Sequence, residues 1–238
     1  MKTKTKLAIQ GLIRKTGFEI SRLPAEGPTG RLMRPIAMVA PMLDWFRYFQ
    51  RMYGRVNHLP GDIVECGVAR GQSLFMLAYL MTREPSPHAR MLWAFDSFQG
   101  FPEPTREDAS PRNPKKGEIR IEQEEVVLRL QESGIDEKTF RDSIRIVPGF
   151  FDKTLRQFPD RPIALLHIDA DLYQSYQAVL THLFPKVVEG GIVLFDEYGT
   201  VNFPGATKAI NEYFLKTAYL VQREPIYGRH YVVKEARN

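Results

Sequence analysis

Leu165-Leu166-His167-Ile168-Asp169-Ala170-Asp171 and, a helix-length interval later, Gly190-Gly191-Ile192-Val193-Leu194-Phe195-Asp196-Glu197-Tyr198 decide how this chain folds. Both stretches are apolar runs of strand length that end in carboxylates. Such runs suit strands buried on both faces, as in a parallel sheet. The interval Leu172 to Leu183 is long enough for a crossover helix, with Asp171 as a plausible N-cap and with Pro185 and Gly190-Gly191 ending the helix and turning the chain. A right-handed crossover sets the two strand ends side by side, where open α/β sheets bind ligands. Asp169, Asp196 and Glu197 then converge on one rim. Carboxylates crowded in this way need a compensating cation, and oxygen ligands favour a hard one: Mg²⁺ first, with Mn²⁺ or Ca²⁺ as alternatives. The plainer alternative is that these acids cap helices and face water.

Working outward, 238 residues with 43% hydrophobic content fit one α/β domain with additions. The formal charge of +5 is spread among mixed acids and bases, with no basic stripe interleaved with aromatics, so nucleic acid is not an expected partner. The lone Cys66 rules out an intrachain disulfide and fits a reducing compartment. Neither a membrane-spanning run nor a signal peptide is apparent, and the expected location is the cytoplasm.

Residues 1–58 read as a helical extension or lid and residues 59–238 as the main domain. Met1 to Leu23, with its basic start, reads as a solvated terminal helix, with weak contact to an anionic membrane surface as the alternative. Pro24 to Gly30 is a linker by composition. Ile36 to Tyr53 is apolar on more than one side, so it is expected to be buried on both, against the sheet and a substrate or a second subunit, with plain core packing as the alternative; Pro41 should kink or restart it. Then comes Asp62-Ile-Val-Glu-Cys-Gly-Val-Ala-Arg-Gly-Gln-Ser73: a strand, a turn with Gly67 and Gly71, and a helix with Leu74, Leu77, Ala78 and Met81 on one face. Its spacing differs from the Gly-x-Gly-x-x-Gly dinucleotide fingerprint, and Glu65 suits a cationic amino group better than a pyrophosphate. Met91 to Asp96 is a second strand ending in an acid, a position that accepts hydrogen bonds from ribose hydroxyls. Phe101 to Gly117, rich in proline, reads as a mobile or substrate-covering loop. Glu122 to Ser133 is a helix and Ile144 to Val147 a strand, followed by Phe150 and Phe151, placed to sandwich a flat ring or to pack in the core. Ala206 to Phe214 is a helix; Tyr219 to Gln222 and His230 to Val233 are strands of an antiparallel hairpin.

In this order, Glu65-Cys-Gly-Val-Ala-Arg-Gly, Phe95-Asp-Ser-Phe-Gln-Gly-Phe-Pro, His167-Ile-Asp-Ala-Asp-Leu-Tyr and Phe195-Asp-Glu-Tyr-Gly resemble the macrocin O-methyltransferase family, over roughly Ile63 to Phe214. The resemblance implies an α/β, Rossmann-like class I methyltransferase fold. Its seven-stranded, mostly parallel sheet would carry an antiparallel C-terminal hairpin. It further implies S-adenosylmethionine as methyl donor, Mg²⁺ as cofactor, and a hydroxyl of a sugar, glycosylated natural product or polysaccharide as acceptor. Carried over by position, Glu65, Gly67 and Gly71 serve the donor's methionine end and Asp96 its ribose. Ala69, Ser73, Ser97, Gly149 and Phe150 complete the donor site, and Asp169, Asp196 and Glu197 hold the metal. The family has two aspartates where this chain has Asp196-Glu197, so the longer side chain either shifts the metal or leaves ligation to Asp196.

A sulfonium methyl is already a strong electrophile, so the protein's task is to position and activate a poorly nucleophilic hydroxyl. Asp169 is the candidate base. His167, inside its apolar run, is the alternative base or a satisfied core histidine. A small-molecule or saccharide acceptor and a homo-oligomeric state are the expected partnerships. A phenolic or catechol-type acceptor, or a non-catalytic methyltransferase-like binding protein, is the competing reading; a nicotinamide dehydrogenase would leave the rim acids without a role.

Overall fold

The structure, a computed structural model, describes residues 40–84, 86–215 and 217–235, all within one compact unit, Ile36–Asn238. The expected helix over the first 23 residues and the linker after it lie outside the described residues.

The apolar runs form strands β1 (Asp62–Cys66), β2 (Leu92–Asp96), β3 (Ile144–Pro148), β4 (Ile163–Ile168) and β5 (Val187–Phe195), all parallel, in the order β3-β2-β1-β4-β5. The hairpin of β6 (Gln222–Arg223) and β7 (His230–Val233) completes a seven-stranded sheet, with β7 antiparallel to β5. Every residue of β1 and β4 is buried, as strands covered on both faces require. One face carries helices α1 (Ala40–Val56) and α2 (Gln72–Arg83), packed through Phe49, Met52, Leu74 and Leu77. The other carries α6 (Tyr173–Leu183) and α7 (Pro204–Phe214), packed through Tyr176, Leu180, Ala209 and Ile210. Short helices α3 (Gln123–Glu132), α4 (Glu137–Ser143) and α5 (Phe151–Thr154) flank β3.

Pro41 lies in the first turn of α1, where its missing N–H costs nothing. Helix α1 packs into the core along one face, and Leu43 is 49% exposed. Two expectations change. Gly190 and Gly191 are part of β5, not a turn before it: Gly190 (φ +77°) sits where the strand is irregular, and both pair with Lys234. The helix is ended instead by a 3₁₀ turn at Phe184–Lys186. Asp171 does not cap α6. Its N-cap is Leu172, and the Tyr173 N–H donates to Asp108 Oδ1 (2.8 Å), brought from the proline-rich loop.

The opposite end of the sheet is held by Asp62. Fully buried, it takes both arms of Arg161 (2.6 and 2.7 Å), the Trp93 indole N–H (3.0 Å) and the Met91 N–H (2.9 Å).

Candidate functional site

The carboxyl ends of β1, β2, β4 and β5 surround a cavity of about 600 Å³. Gly67, Ala69, Asp96, Ser97, Phe150, Asp169, Asp196 and Glu197 line it; Glu65, Gly71, Ser73 and Gly149 are not part of the lining.

The turn after β1 is possible only with glycine. Gly67 has φ +94°, and a β-carbon there would fall 1.6 Å from the Asp169 carbonyl oxygen. This contact brings the β1 turn against the acid-bearing end of β4, and the Asp169 N–H donates to the Cys66 carbonyl (2.9 Å). Asp96, from the neighbouring strand, holds the turn from the other side. Its Oδ2 accepts the N–H groups of Val68 (2.8 Å) and Ala69 (3.0 Å), and its Oδ1 that of Phe98 (2.8 Å). The acid expected to serve a ribose therefore also shapes the turn on which a donor would rest.

Glu65 and His167 lie opposite each other on β1 and β4, fully enclosed. His167 Nδ1 is 3.0 Å from Glu65 Oε1, and its ring meets Phe49 edge-on at 4.9 Å. Burial alone would lower the histidine's pKa; the hydrogen bond and charge of Glu65, with Asp169 and Asp196 beyond, raise it overall. Glu65 Oε2 is buried with no partner, which suits a cationic amino group.

The acids meet in two overlapping sets. Ligand atoms of His167, Asp169 and Asp196 lie within 4.8 Å of one another, as do those of Asp169, Asp171 and Glu197. Asp169 is pushed up to about 6 by burial and by the charge of Asp196. Asp171 is pushed up to about 8 by burial, then by Asp169 and Asp196. Burial, then Asp169 and Asp171, drive Glu197 well above the usual carboxylate range. Glu197 is steadied by the hydroxyl of buried Tyr176, which also lies 2.9 Å from the Ile168 carbonyl, and by the Asp171 N–H. Asp196 is paired instead with Arg229.

Asp171 is the residue that sequence reasoning missed. It lines the cavity and holds a left-handed backbone (φ +58°), which is costly for a non-glycine residue. The Asp-Ala-Asp spacing at a buried strand end was the available signal. The proline-rich loop contributes Phe101 and Pro102 to the cavity and is tied down. Asp108 holds the start of α6, Ser110 Oγ donates to the Asn202 carbonyl (2.7 Å), and the Arg112 guanidinium lies over Phe101 and Phe203.

Strand order, antiparallel last strand and carboxyl-edge cavity together define a Rossmann-like methyltransferase fold. The sequence profile of the macrocin-O-methyltransferase (TylF) family matches residues 47–221, and the chain belongs to that family. It is 34% identical over 166 residues to demethyldecarbamoylnovobiocin O-methyltransferase of Streptomyces niveus (67% of this chain, 60% of that protein). It is 32% identical over 162 residues to mycinamicin III 3''-O-methyltransferase of Micromonospora griseorubida (65% and 61%). The chain thus spans less than two thirds of the length of these curated relatives. The solved structure of the O-methyltransferase NovP superposes with a TM-score of 0.68 at 29% identity, covering 82% of this chain and 81% of that one. Calicheamicin methyltransferase CalS11 superposes at 0.72, with 23% identity over 97% and 91% of the two chains, a likeness of fold alone.

Proposed function

We propose that this chain transfers a methyl group from S-adenosylmethionine to a hydroxyl of a sugar, on a natural product or polysaccharide, with Mg²⁺ as cofactor. The observation that carries this reading is the joining of two half-sites in one cavity: the Gly67 turn with Asp96, and the acids Asp169, Asp196 and Glu197. The curated relatives, named as O-methyltransferases of glycosylated natural products, support the acceptor class.

The residues fit both groups. For the donor, Glu65 has a buried, unpartnered oxygen suited to an ammonium, Gly67 allows the tight turn, and Asp96, Ser97 and Phe150 line the cavity and would serve the ribose and a flat ring. For the cation, Asp169, Asp196 and Glu197 all line the cavity; Asp169 is in ligand range of Asp196 in one set and of Glu197 in the other, and burial, then the charge of neighbouring carboxylates, raises Asp169 and Asp171. Bound there, a divalent cation supplies Lewis acidity that makes a hydroxyl more acidic, and the donor supplies an electrophilic methyl.

Asp169, Asp196 and Glu197 would hold the cation, and Asp169 would accept the hydroxyl proton as the oxygen–methyl bond forms and the carbon–sulfur bond breaks, its electron pair leaving with sulfur. Asp171 faces the same space and competes with Asp169 for the role of proton acceptor. His167 is engaged with Glu65 behind the wall, which argues against it as base. Helix α1 packs on the sheet through Phe49 and Met52, and the proposed setting is the cytoplasm. The test is methyl transfer to a panel of glycosides with simple catechols as controls, read by mass gain, with and without EDTA. Sugar methylation lost in EDTA and restored by Mg²⁺ is expected. Full activity in EDTA would remove the metal from the mechanism; transfer to catechols alone would move the acceptor class.

A further inference from the structure

The rim acids do not share one fate, because Asp196 already has a cation. The β5–β7 register pairs Phe195 with His230, so the next residues outward, Asp196 and Arg229, face each other and form an ion pair. The Arg229 guanidinium also lies against two aromatic rings. Trp45 and Tyr48, one turn apart on α1, present their rings to it at 5.0 and 5.9 Å. One side chain from the C-terminal hairpin thus links helix α1 to a carboxylate of the candidate metal site.

We propose that Arg229 is a tethered counter-ion: it holds Asp196 in the metal-free protein, and loading a divalent cation draws Asp196 away and loosens Arg229 from the Trp45–Tyr48 face. This rests on the reading of Asp169, Asp196 and Glu197 as the metal site. The physical reason is charge. Asp196 Oδ1, occupied by a guanidinium, is a poorer ligand, and a fixed positive charge a few ångströms from the site repels an incoming dication. Among the described residues, Asp196 is ion-paired with a cationic side chain, and Asp169, Asp171 and Glu197 are not. Arg229 therefore sets how strongly the site attracts a metal, and the aromatic pair carries the loading state to α1. Arg229 is a positioning residue on this account, not a catalytic one.

Calorimetric titration of Mg²⁺, with Mn²⁺ as a second probe, into the full chain without donor tests this. Arg229→Gln should bind the ion roughly fivefold or more tightly than the parent, while Arg229→Lys, which keeps the charge, should stay near it. A general loss of structure would weaken binding, so a gain cannot come from damage. Independently of any Arg229 variant, Mg²⁺ should change the indole emission of the parent, and Trp45→Phe should abolish the change, leaving only Trp93. Unchanged or weaker binding in Arg229→Gln, or constant parent emission at saturating Mg²⁺, overturns the inference while the metal reading stands. If neither ion binds the parent or Arg229→Gln, the metal reading itself fails.

Discussion

Asp169, Asp171 and Asp196 look alike in the sequence and are held in three different ways. Asp169 stands between both ligand sets, Asp171 is fixed in a left-handed turn, and Asp196 is ion-paired. Their amide variants should separate accordingly. Asp169→Asn should keep donor affinity, since the donor rests on the β1 turn, while turnover collapses. Asp196→Asn should weaken the metal, and excess Mg²⁺ should partly restore it. Near-normal turnover of Asp169→Asn at saturating Mg²⁺ and donor would shift the base to Asp171, a shift confirmed by collapse of Asp171→Asn without metal rescue. Asp96→Ala should weaken donor binding by about 1.5–3 kcal/mol for lost charge-assisted bonds. Because Asp96 also carries three backbone N–H groups of the turn, the melting temperature should fall as well; calorimetry showing neither change would remove Asp96 from the site. At this scale the sequence was partly legible. Asp169 and Asp196 stand out because each ends an apolar run. Asp171 did not, since an acid between strand and helix reads as a cap, and only the structure shows that the carboxylate of Asp108, 65 residues away, accepts the N–H at that helix end. Arg229 carried no local signal at all, because its partner is chosen by strand register.

At the scale of elements, composition suggested a mobile or substrate-covering loop for the proline-rich segment. Phe101 and Pro102 line the cavity, and Asp108, Ser110 and Arg112 fasten the segment to α6, to the loop before α7 and to two aromatic rings. Limited proteolysis should therefore leave it intact in the parent protein, without ligands, and Asp108→Ala should open it to cleavage. Rapid nicking of the unliganded parent would restore the mobile-loop picture. The strands were legible because burial on both faces writes a continuous apolar run. The irregularity at Gly190 was not, since a Gly-Gly pair is also the mark of a turn. At the far edge of the sheet, Asp62→Asn should leave methyl transfer intact at low temperature and lower stability. The loss should be about 1–3 kcal/mol, below the 3–5 expected for a fully buried pair because Arg161 is half exposed, as read by urea unfolding.

For the whole molecule, the clustered acids make stability depend on pH in a direction that a cation reverses. Asp169 and Asp171 rise from 3.8 to about 6 and about 8, so the folded state binds their protons more tightly than the unfolded chain does. Their contribution is fully present below about pH 4 and is lost as pH climbs through 6 and 8. In EDTA the unfolding midpoint should fall over that window, and Mg²⁺ should remove the fall; identical pH profiles with and without Mg²⁺ would show that the acids do not share a cation site.

The contact between Gly67 and Asp169 also bears on how the protein comes into being. Strand β1 is made early, but one of its two neighbours, β4, is roughly a hundred residues further along, and closing so long a loop is entropically expensive and slow. During synthesis the glycine turn therefore waits without the backbone it is shaped to touch, and β1 presents a bare edge of unpaired backbone groups. Neither half of the cavity is finished before the other, so ligand binding should appear late and abruptly in refolding, in step with burial of the β1–β4 seam. Nascent chains stalled ahead of residue 163 should bind nothing and instead recruit chaperones or aggregate.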